Sequence, residues 1–266
     1  MPISFYKLTA AGNDFVLFYK NIKIKSYSSF TKKICDRHYG VGGDGILILD
    51  KNGKEFNLRY FNSDGTEAFC GNGTRSAAFF IYREIFKKRK KNFYIKTSAG
   101  KLEIKIIKEK IYLCMPKPNF LKEVFIKNKW NFSKMSYIKA GTYHLVIETD
   151  DVSKIDVYEC GRFFRYHENF SPNGTNVDFI KIEKLSGGKV ICRIRTYEKG
   201  VEEETLSCSS GIASSFYYLN KKYGIKNAIF ISKNQEKFYL KLDKKENLYL
   251  SGPVKIVFKG RLDELY

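Results

Sequence analysis

The sequence predicts an α+β fold built from two similar halves. Segments rich in β-branched and aromatic residues outnumber helical ones, and the two kinds do not alternate as a βαβ array would. One pattern occurs twice: a strand runs through a polar loop into a cysteine and then a helix that begins with small residues. The stretch "MPKPNF" (115–120), near the middle of the 266-residue chain, is the strongest linker signal. With 43% hydrophobic residues, the chain suits two domains of ordinary size and can build a core without disulfides.

The strands are expected at "FVLFY", "ILILD", "FNLRYF", "FYIKTSAGKLEIKIIKEKIYLCM", "YHLVIE", "VDFIKIEK", "KVICRIRTYEK", "AIFISK", "KFYLKLD" and "LYLSGPVKIVFKG". "KEFNLRYF" and "VKIVFKG" alternate in part, as half-buried strands do. Four segments read as helices. "SSFTKKICDRHYG" (28–40) has serines at its start and a glycine stop. "GTRSAAFFIYREIFKKR" (73–89) is the longest, and its basic end suits the negative pole of a helix. "YECGRFFRYHE" (158–168) carries aromatics at helical spacing, and "SSGIASSFYYLNKKYG" (209–224) ends on a glycine cap signal.

Composition narrows the function. The net charge of +20 invites a nucleic-acid reading. Of the 48 basic residues, however, 38 are lysines spread along the chain, in the company of abundant Ile, Asn, Phe and Tyr. That is a compositional bias rather than an arginine-rich binding patch, so no nucleic-acid partner is expected. No apolar run approaches the ~20 residues that span a bilayer. The first residues lack a basic stretch followed by a long apolar one, so a cytoplasmic protein without a membrane partner is expected. Six cysteines, at 35, 70, 114, 160, 192 and 208, show no CxxC pair and are read as free thiols. The three histidines show no metal-ligand spacing, so no metal is expected. "GVGGDG" (40–45) is a literal GxGxxG, but it follows a helix and precedes a strand, the reverse of a dinucleotide fingerprint. It reads as a tight turn that could border a pocket.

The repeated pattern carries the chemistry. "FNLRYF" leads to Cys70 and "GNG", and "VICRIRTY" leads to Cys208 and "SSG", 138 residues later. A second rhyme links "AGNDFV" (11–16) to "GTNVDFI" (174–180), each with an asparagine just before a strand. The first turn of a helix exposes unsatisfied N–H groups at the positive end of its dipole. A thiolate is stabilised there, and a carboxylate can bind the same N–H groups. Small residues after each cysteine let a ligand approach the backbone. Two such turns gripping one carboxylate would set two thiols near its α-carbon, where the halves face each other. Inverting a stereocentre needs that pair: one thiolate removes the proton from one face and one thiol returns a proton to the other. Cys35, Cys114, Cys160 and Cys192 lie inside helix or strand patterns and read as packing.

The motifs together resemble the diaminopimelate epimerase family, nearly end to end. "AAGNDF" resembles GxGNDF, "DRHYGVGGDGILIL" its RxxGIGxDG loop, and "FNSDGTEAFCGNGTR" the NxDGSxxxxCGNGxR motif. "AGTYHLV" stands where GNPHxV is usual, "GTNVDF" matches xxNVxF, and "YEKGVEEETLSCSSG" resembles YERGxxETxxCGTG. The resemblance implies two pseudo-symmetric halves, each a curled, mostly antiparallel sheet around a central helix. The first spans 1–115 and is joined by the C-terminal strand 253–266, and the second spans 116–252. It implies cofactor-independent interconversion of LL- and meso-diaminopimelate, a small amino-acid substrate, by Cys70 and Cys208 as the base and acid. It also implies His144 and Glu198 as groups tuning the thiols. Asn13, Asn62, Asn176, Glu198 and Lys199 would hold the substrate, with Gly71, Asn72, Ser209 and Ser210 on its reacting carboxylate. A homodimer is usual in the family.

The sequence departs from the family pattern in places. Ala10 replaces a glycine, Thr142-Tyr143 replace Asn-Pro, Ser209-Ser210 replace Gly-Thr, and Lys199 replaces an arginine. Lysine keeps the charge but not the planar fork. A racemase of another amino acid, such as histidine, and a basic RNA-binding module are the alternatives.

Overall fold

The computed structural model describes residues 3–20, 24–186 and 189–263. The chain forms two units, one of residues up to Cys114 together with those from Ser251 on, the other Met115–Leu250.

The first unit begins with the hairpin β1 (Ile3–Ala10) and β2 (Asn13–Tyr19), followed by α1 (Tyr27–Cys35), β3 (Gly45–Asn52), β4 (Glu55–Asn62) and the short β5 (Glu67–Ala68). Helix α2 (Gly71–Phe80) comes next, then β6 (Asn92–Thr97), β7 (Gly100–Ile107) and β8 (Lys110–Cys114). The second unit contains β9 (Asn119–Val124), β10 (Lys134–Ala140), β11 (Thr142–Glu148), α3 (Val157–Arg165), β12 (Asn176–Ser186), β13 (Lys189–Glu198) and β14 (Glu203–Thr205). It continues with α4 (Ser209–Tyr223), β15 (Asn227–Ile231), β16 (Lys237–Leu242) and β17 (Leu248–Ser251), and β18 (Lys255–Leu262) returns to the first unit.

The two units share one topology. In the first, β1–β2 and β3–β4 are antiparallel while β2–β3 and β4–β6 are parallel. In the second, β10–β11 and β12–β13 are antiparallel while β11–β12 and β13–β15 are parallel. β18 pairs with β1 as β9 pairs with β10. In each unit the strands wrap around a helix. α2 touches β1, β2, β3, β4, β6, β8 and β18, and α4 touches β10, β11 and β12. Every residue of α2 except Phe79 is buried. Small residues ("GNGT", "SAA") let the strands close around it, which a helix of large side chains would prevent. α1 and α3 lie outside the sheets, α3 so close that a Cβ on Gly161 would stand 2.4 Å from the Tyr197 side chain. Each unit has its own core, around Phe18, Phe30 and Ile46 in the first and around Phe164, Val177 and Phe179 in the second.

The expected helices form, and α4 ends as expected at Gly224, whose φ of 66° is the left-handed cap that glycine adopts without strain. α1 stops at Cys35, short of the expected Gly40. α2 does not continue to residue 89: it passes into a π turn (Ile81–Ile85) with the Phe86 N–H on the Ile81 carbonyl at 2.9 Å. β1, β9 and β10 escaped the sequence reading. β1 carries a lysine in its middle, Lys7, which is buried against Asp14, and β9 is mostly exposed, so neither shows an apolar run.

The rhyme between "AGNDFV" and "GTNVDFI" is not the internal symmetry. Asn13 opens β2, whose counterpart is β11, whereas Asn176 opens β12, whose counterpart is β3. Register places Gly45 opposite Asn62, and β12–β13 in the same way brings Asn176 level with Glu198, next to the Val177–Tyr197 pair. Glu198 thus occupies in the second unit the place that Asn62 has in the first.

Candidate active site

In the first unit, Cys70 is the N-cap of α2. Its backbone is extended (φ −132°, ψ 116°), and its Sγ accepts the Gly73 N–H at 3.3 Å. The thiol takes the place a serine or aspartate oxygen usually fills, and an N–H aimed at sulfur favours the thiolate. A Cβ on Gly73 would lie 2.9 Å from Leu47 Cδ2 and 3.6 Å from the Cys70 sulfur.

Asn13 reaches the same place from the β1–β2 turn. Its Nδ2 donates to Asp44 Oδ2 at 2.7 Å, and a carboxylate can only accept, so its Oδ1 faces the other way. There it accepts from Asn72 Nδ2 at 3.3 Å and lies 4.0 Å from the Cys70 sulfur. Asn72 Oδ1 accepts in turn from Arg75 at 2.8 Å. Arg75 is wholly buried, and burial pulls its guanidinium down to about 10, while the Cys70 charge works in the other direction. A cation enclosed in the first turns of α2 reinforces the field that favours a thiolate at its cap.

The glycine-rich "GVGGDG" is a turn that delivers Asp44. Gly42 N–H reaches the Ile34 carbonyl at 3.0 Å, Gly43 N–H the Cys35 carbonyl at 3.2 Å, and the Lys7 ammonium donates to the Gly42 carbonyl. Lys7 and Arg37 both pair with Asp14, at 2.6 and 2.9 Å. Burial works to raise the Asp14 carboxyl, but the hydrogen bonds and charges of Arg37 and Lys7 prevail and hold it at about 2. Asn62 is engaged by the Tyr60 hydroxyl at 2.8 Å and donates to Thr66 Oγ1 at 3.0 Å.

In the second unit, Cys208 is the N-cap residue of α4, with an extended backbone (φ −125°, ψ 111°). Its sulfur lies 3.2 Å from Ser210 Oγ. Burial pushes this thiol well above its ordinary range, and the charges of Glu198 and Asp178 push the same way, against hydrogen bonds from Ser210 and the Gly211 N–H. His144 is completely buried. Its Nε2 lies 3.0 Å from both Ser210 Oγ and Thr142 Oγ1, and its Nδ1 lies 2.7 Å from Asp178 Oδ2. Asp178 Oδ1 accepts from Thr196 at 2.7 Å. Asn176 donates to the Tyr143 carbonyl at 2.8 Å and to Thr142 at 3.3 Å, and its oxygen accepts the Lys199 N–H at 2.8 Å. It ties the turn before β11 to the end of β13. Ser209 is buried, whereas Lys199 is exposed.

The first unit therefore gathers Asn13, Gly71 and Asn72 around Cys70, and the second gathers His144, Glu198 and Ser210 around Cys208. Sequence reasoning missed Arg75, Asp44 and Asp178. The signal for Arg75 and Asp178 was a charged residue inside a small or apolar segment, "GTRSAA" and "NVDFI". Among the described residues, no group of His, Cys, Asp or Glu could hold a metal ion, and no helix is long and apolar enough to cross a membrane.

Cys35, Cys160 and Cys192 are buried packing groups. Burial raises Cys35 to about 12 and Cys160 to about 11, and sends Cys192 well above the ordinary range.

The fold, two units in each of which strands pack around a helix, is that of a known structural class. A phenazine biosynthesis PhzF-family protein from Enterococcus faecalis shares it with a TM-score of 0.75 at 16% identity, covering 99% of this chain and 100% of that one. A hydroxyproline epimerase from Agrobacterium vitis shares it with a TM-score of 0.72 at 10% identity, covering 98% and 92%. At the level of sequence, the model of the family "Diaminopimelate epimerase" matches residues 5–120. The diaminopimelate epimerase of Hydrogenobaculum sp. is 35% identical over 277 residues, covering 96% of this chain and 97% of that protein. This chain belongs to the diaminopimelate epimerase family.

Proposed function

We propose that this protein is an isomerase that interconverts LL- and meso-diaminopimelate, with Cys70 and Cys208 as the two acid–base groups and no cofactor. The observation that carries this reading is the pair of cysteines, each capping the N-terminus of an enclosed helix in one of two units of the same topology. An α-proton next to a carboxylate is weakly acidic, and its removal pushes negative charge onto that carboxylate. The N–H groups at a helix start favour such charge without reorganising as it develops. One thiolate takes the proton from one face and the other thiol supplies a proton to the opposite face, so configuration inverts. Gly71, Asn72, Ser209 and Ser210 supply N–H groups at the two helix starts. Asn13, Asn62, Asn176, Glu198 and Lys199 serve to hold the rest of the substrate. The curated relatives favour this substrate over the histidine alternative. We place the enzyme in the cytoplasm, in lysine and cell-wall precursor synthesis, as a homodimer.

The test is solvent exchange. Purified, reduced protein is incubated with LL-diaminopimelate in D₂O and the α-proton signal is followed by NMR. Loss of that signal with build-up of the meso isomer is expected. An unchanged signal overturns the reading.

A further inference from the structure

Behind Cys208 lies a chain of polar groups, half-buried at Ser210 and fully buried at His144, that ends on an aspartate without a role in the proposed reaction. Cys208 Sγ, Ser210 Oγ and His144 Nε2 follow one another at 3.2 and 3.0 Å, and His144 Nδ1 sits 2.7 Å from Asp178. Three different strands and a helix start converge to make it: His144 comes from β11, Asp178 from β12, Thr196 from β13 and Ser210 from the first turn of α4. His144 and Asp178 are both fully buried. Space is cleared for the aspartate, because a Cβ on Gly211 would stand 2.2 Å from its Oδ1.

The hydrogen-bond directions are set by chemistry. The Asp178 carboxylate only accepts, so His144 carries a proton on Nδ1 and, when neutral, offers a lone pair at Nε2. Ser210 can donate to that lone pair while accepting from the Cys208 thiol. Alternatively it can accept from a protonated Nε2 while donating to a Cys208 thiolate. The two arrangements differ by one concerted shift: the thiol proton moves to Ser210 Oγ as the serine's own proton moves to Nε2. The products are a thiolate and an imidazolium, the latter directly against Asp178.

From this geometry we infer that Asp178, His144 and Ser210 form an internal proton store for Cys208, in which Asp178 is a positioning residue acting through His144. The inference rests on the reading of Cys208 as an acid–base group. A thiol as deeply buried as Cys208, with Glu198 and Asp178 facing it, resists ionisation. A two-base enzyme nevertheless needs that cysteine as a thiolate for one of its two directions. The chain lets Cys208 ionise without releasing a proton to solvent, and it gives the proton back when Cys208 must act as the acid.

The experiment follows Cys208 ionisation directly, with no substrate present. A Cys70→Ala variant is titrated by thiolate absorbance, with a Cys70→Ala/Cys208→Ala variant as the blank, while ¹⁵N NMR follows the His144 ring. Thiolate absorbance is expected to appear while the His144 ring is still an imidazolium, with the ring losing its own proton only in a later, more alkaline step. Adding Ser210→Ala should raise the thiolate midpoint by about one pH unit or more, and Ser210→Thr should restore it. Asp178→Asn separates two physical accounts. If Asp178 acts only by its field on the sulfur, losing its charge makes Cys208 ionise more easily. If it acts through His144, losing the counter-charge of the imidazolium makes Cys208 ionise less easily, and that upward shift is expected. A downward shift in Asp178→Asn, or an unmoved midpoint in Ser210→Ala, overturns the proton store. Ser210→Ala removes only a hydroxyl, so the test stands if Asp178→Asn fails to fold. Failure here with α-proton exchange intact in the unmodified enzyme removes the store and leaves the epimerase reading. Absence of exchange in the unmodified enzyme, with the titration as expected, removes the epimerase reading and leaves the proton linkage of Cys208 without its catalytic role.

Discussion

Gly73 and Gly211 hold the same place in the two helix starts, three residues after each cysteine, yet the structure gives them different consequences when alanine replaces them. A Cβ at Gly211 would lie 2.2 Å from Asp178 Oδ1 and 2.9 Å from its Cγ. Asp178 is fully buried and pinned by His144 and Thr196, each at 2.7 Å, so it has nowhere to go without breaking one of those bonds. Overpacking a close-packed site costs about 1–3 kcal/mol. A lost hydrogen bond to a charged group costs about 1.5–3 kcal/mol more. Alanine returns about 1 kcal/mol of helix propensity. Gly211→Ala should therefore destabilise the protein by about 2–5 kcal/mol, a melting temperature roughly 5–15 °C lower. At Gly73, the nearest atom is Leu47 Cδ2 at 2.9 Å, the end of a side chain that can rotate. Its off-rotamer cost of about 0.5–1.5 kcal/mol is nearly cancelled by the same gain in propensity. Gly73→Ala should melt within about 2 °C of the parent. Differential scanning calorimetry of the two variants decides it. Equal melting temperatures, or a larger loss at Gly73, would refute the claim that Asp178 is immovably held under α4.

Three further outcomes are expected. Asp14→Asn should cost about 2 kcal/mol at neutral pH, because Arg37 and Lys7 hold its carboxyl at about 2 rather than 3.8. Its folded value lies below the unfolded one, so this stabilisation is complete above the unfolded value and is lost as pH falls through about 2. Urea denaturation of both proteins from neutral to acid pH should show the difference shrinking, and a constant difference contradicts the ion-pair account. Iodoacetamide at neutral pH should modify Cys70 ahead of Cys35, Cys160 and Cys192, whose thiols burial raises. Peptide mass spectrometry reads the order, and early labelling of Cys192 would speak against it. Arg75→Met should slow Cys70 alkylation about tenfold by removing a buried cation behind α2, as one unit of thiol pKa implies. An unchanged rate would mean that the Gly73 N–H alone sets the thiolate.

What the sequence determined by itself was local or repeated. Helix starts at Cys70 and Cys208 and the stop at Gly224 follow from capping chemistry, which acts over a few residues. The two cysteines could be found because one supersecondary unit occurs twice, 138 residues apart. The family could be read because its motifs are short and contiguous. Tertiary structure decided what depends on pairing between distant strands. The likeness of "AGNDFV" to "GTNVDFI" gave the wrong internal correspondence, since strand order and register set equivalence and no short motif encodes them. β1 was hidden because the charge of Lys7 breaks its apolar pattern, and only the fold supplies the Asp14 partner that makes a buried lysine tolerable. Asp178 looked like one more acid on a strand. It became part of the site when β11, β12 and the start of α4 brought His144 and Gly211 to it, over separations of 34 and 33 residues. Such a juxtaposition arises from burial and sheet register, which are properties of the folded chain and not of any local stretch of it.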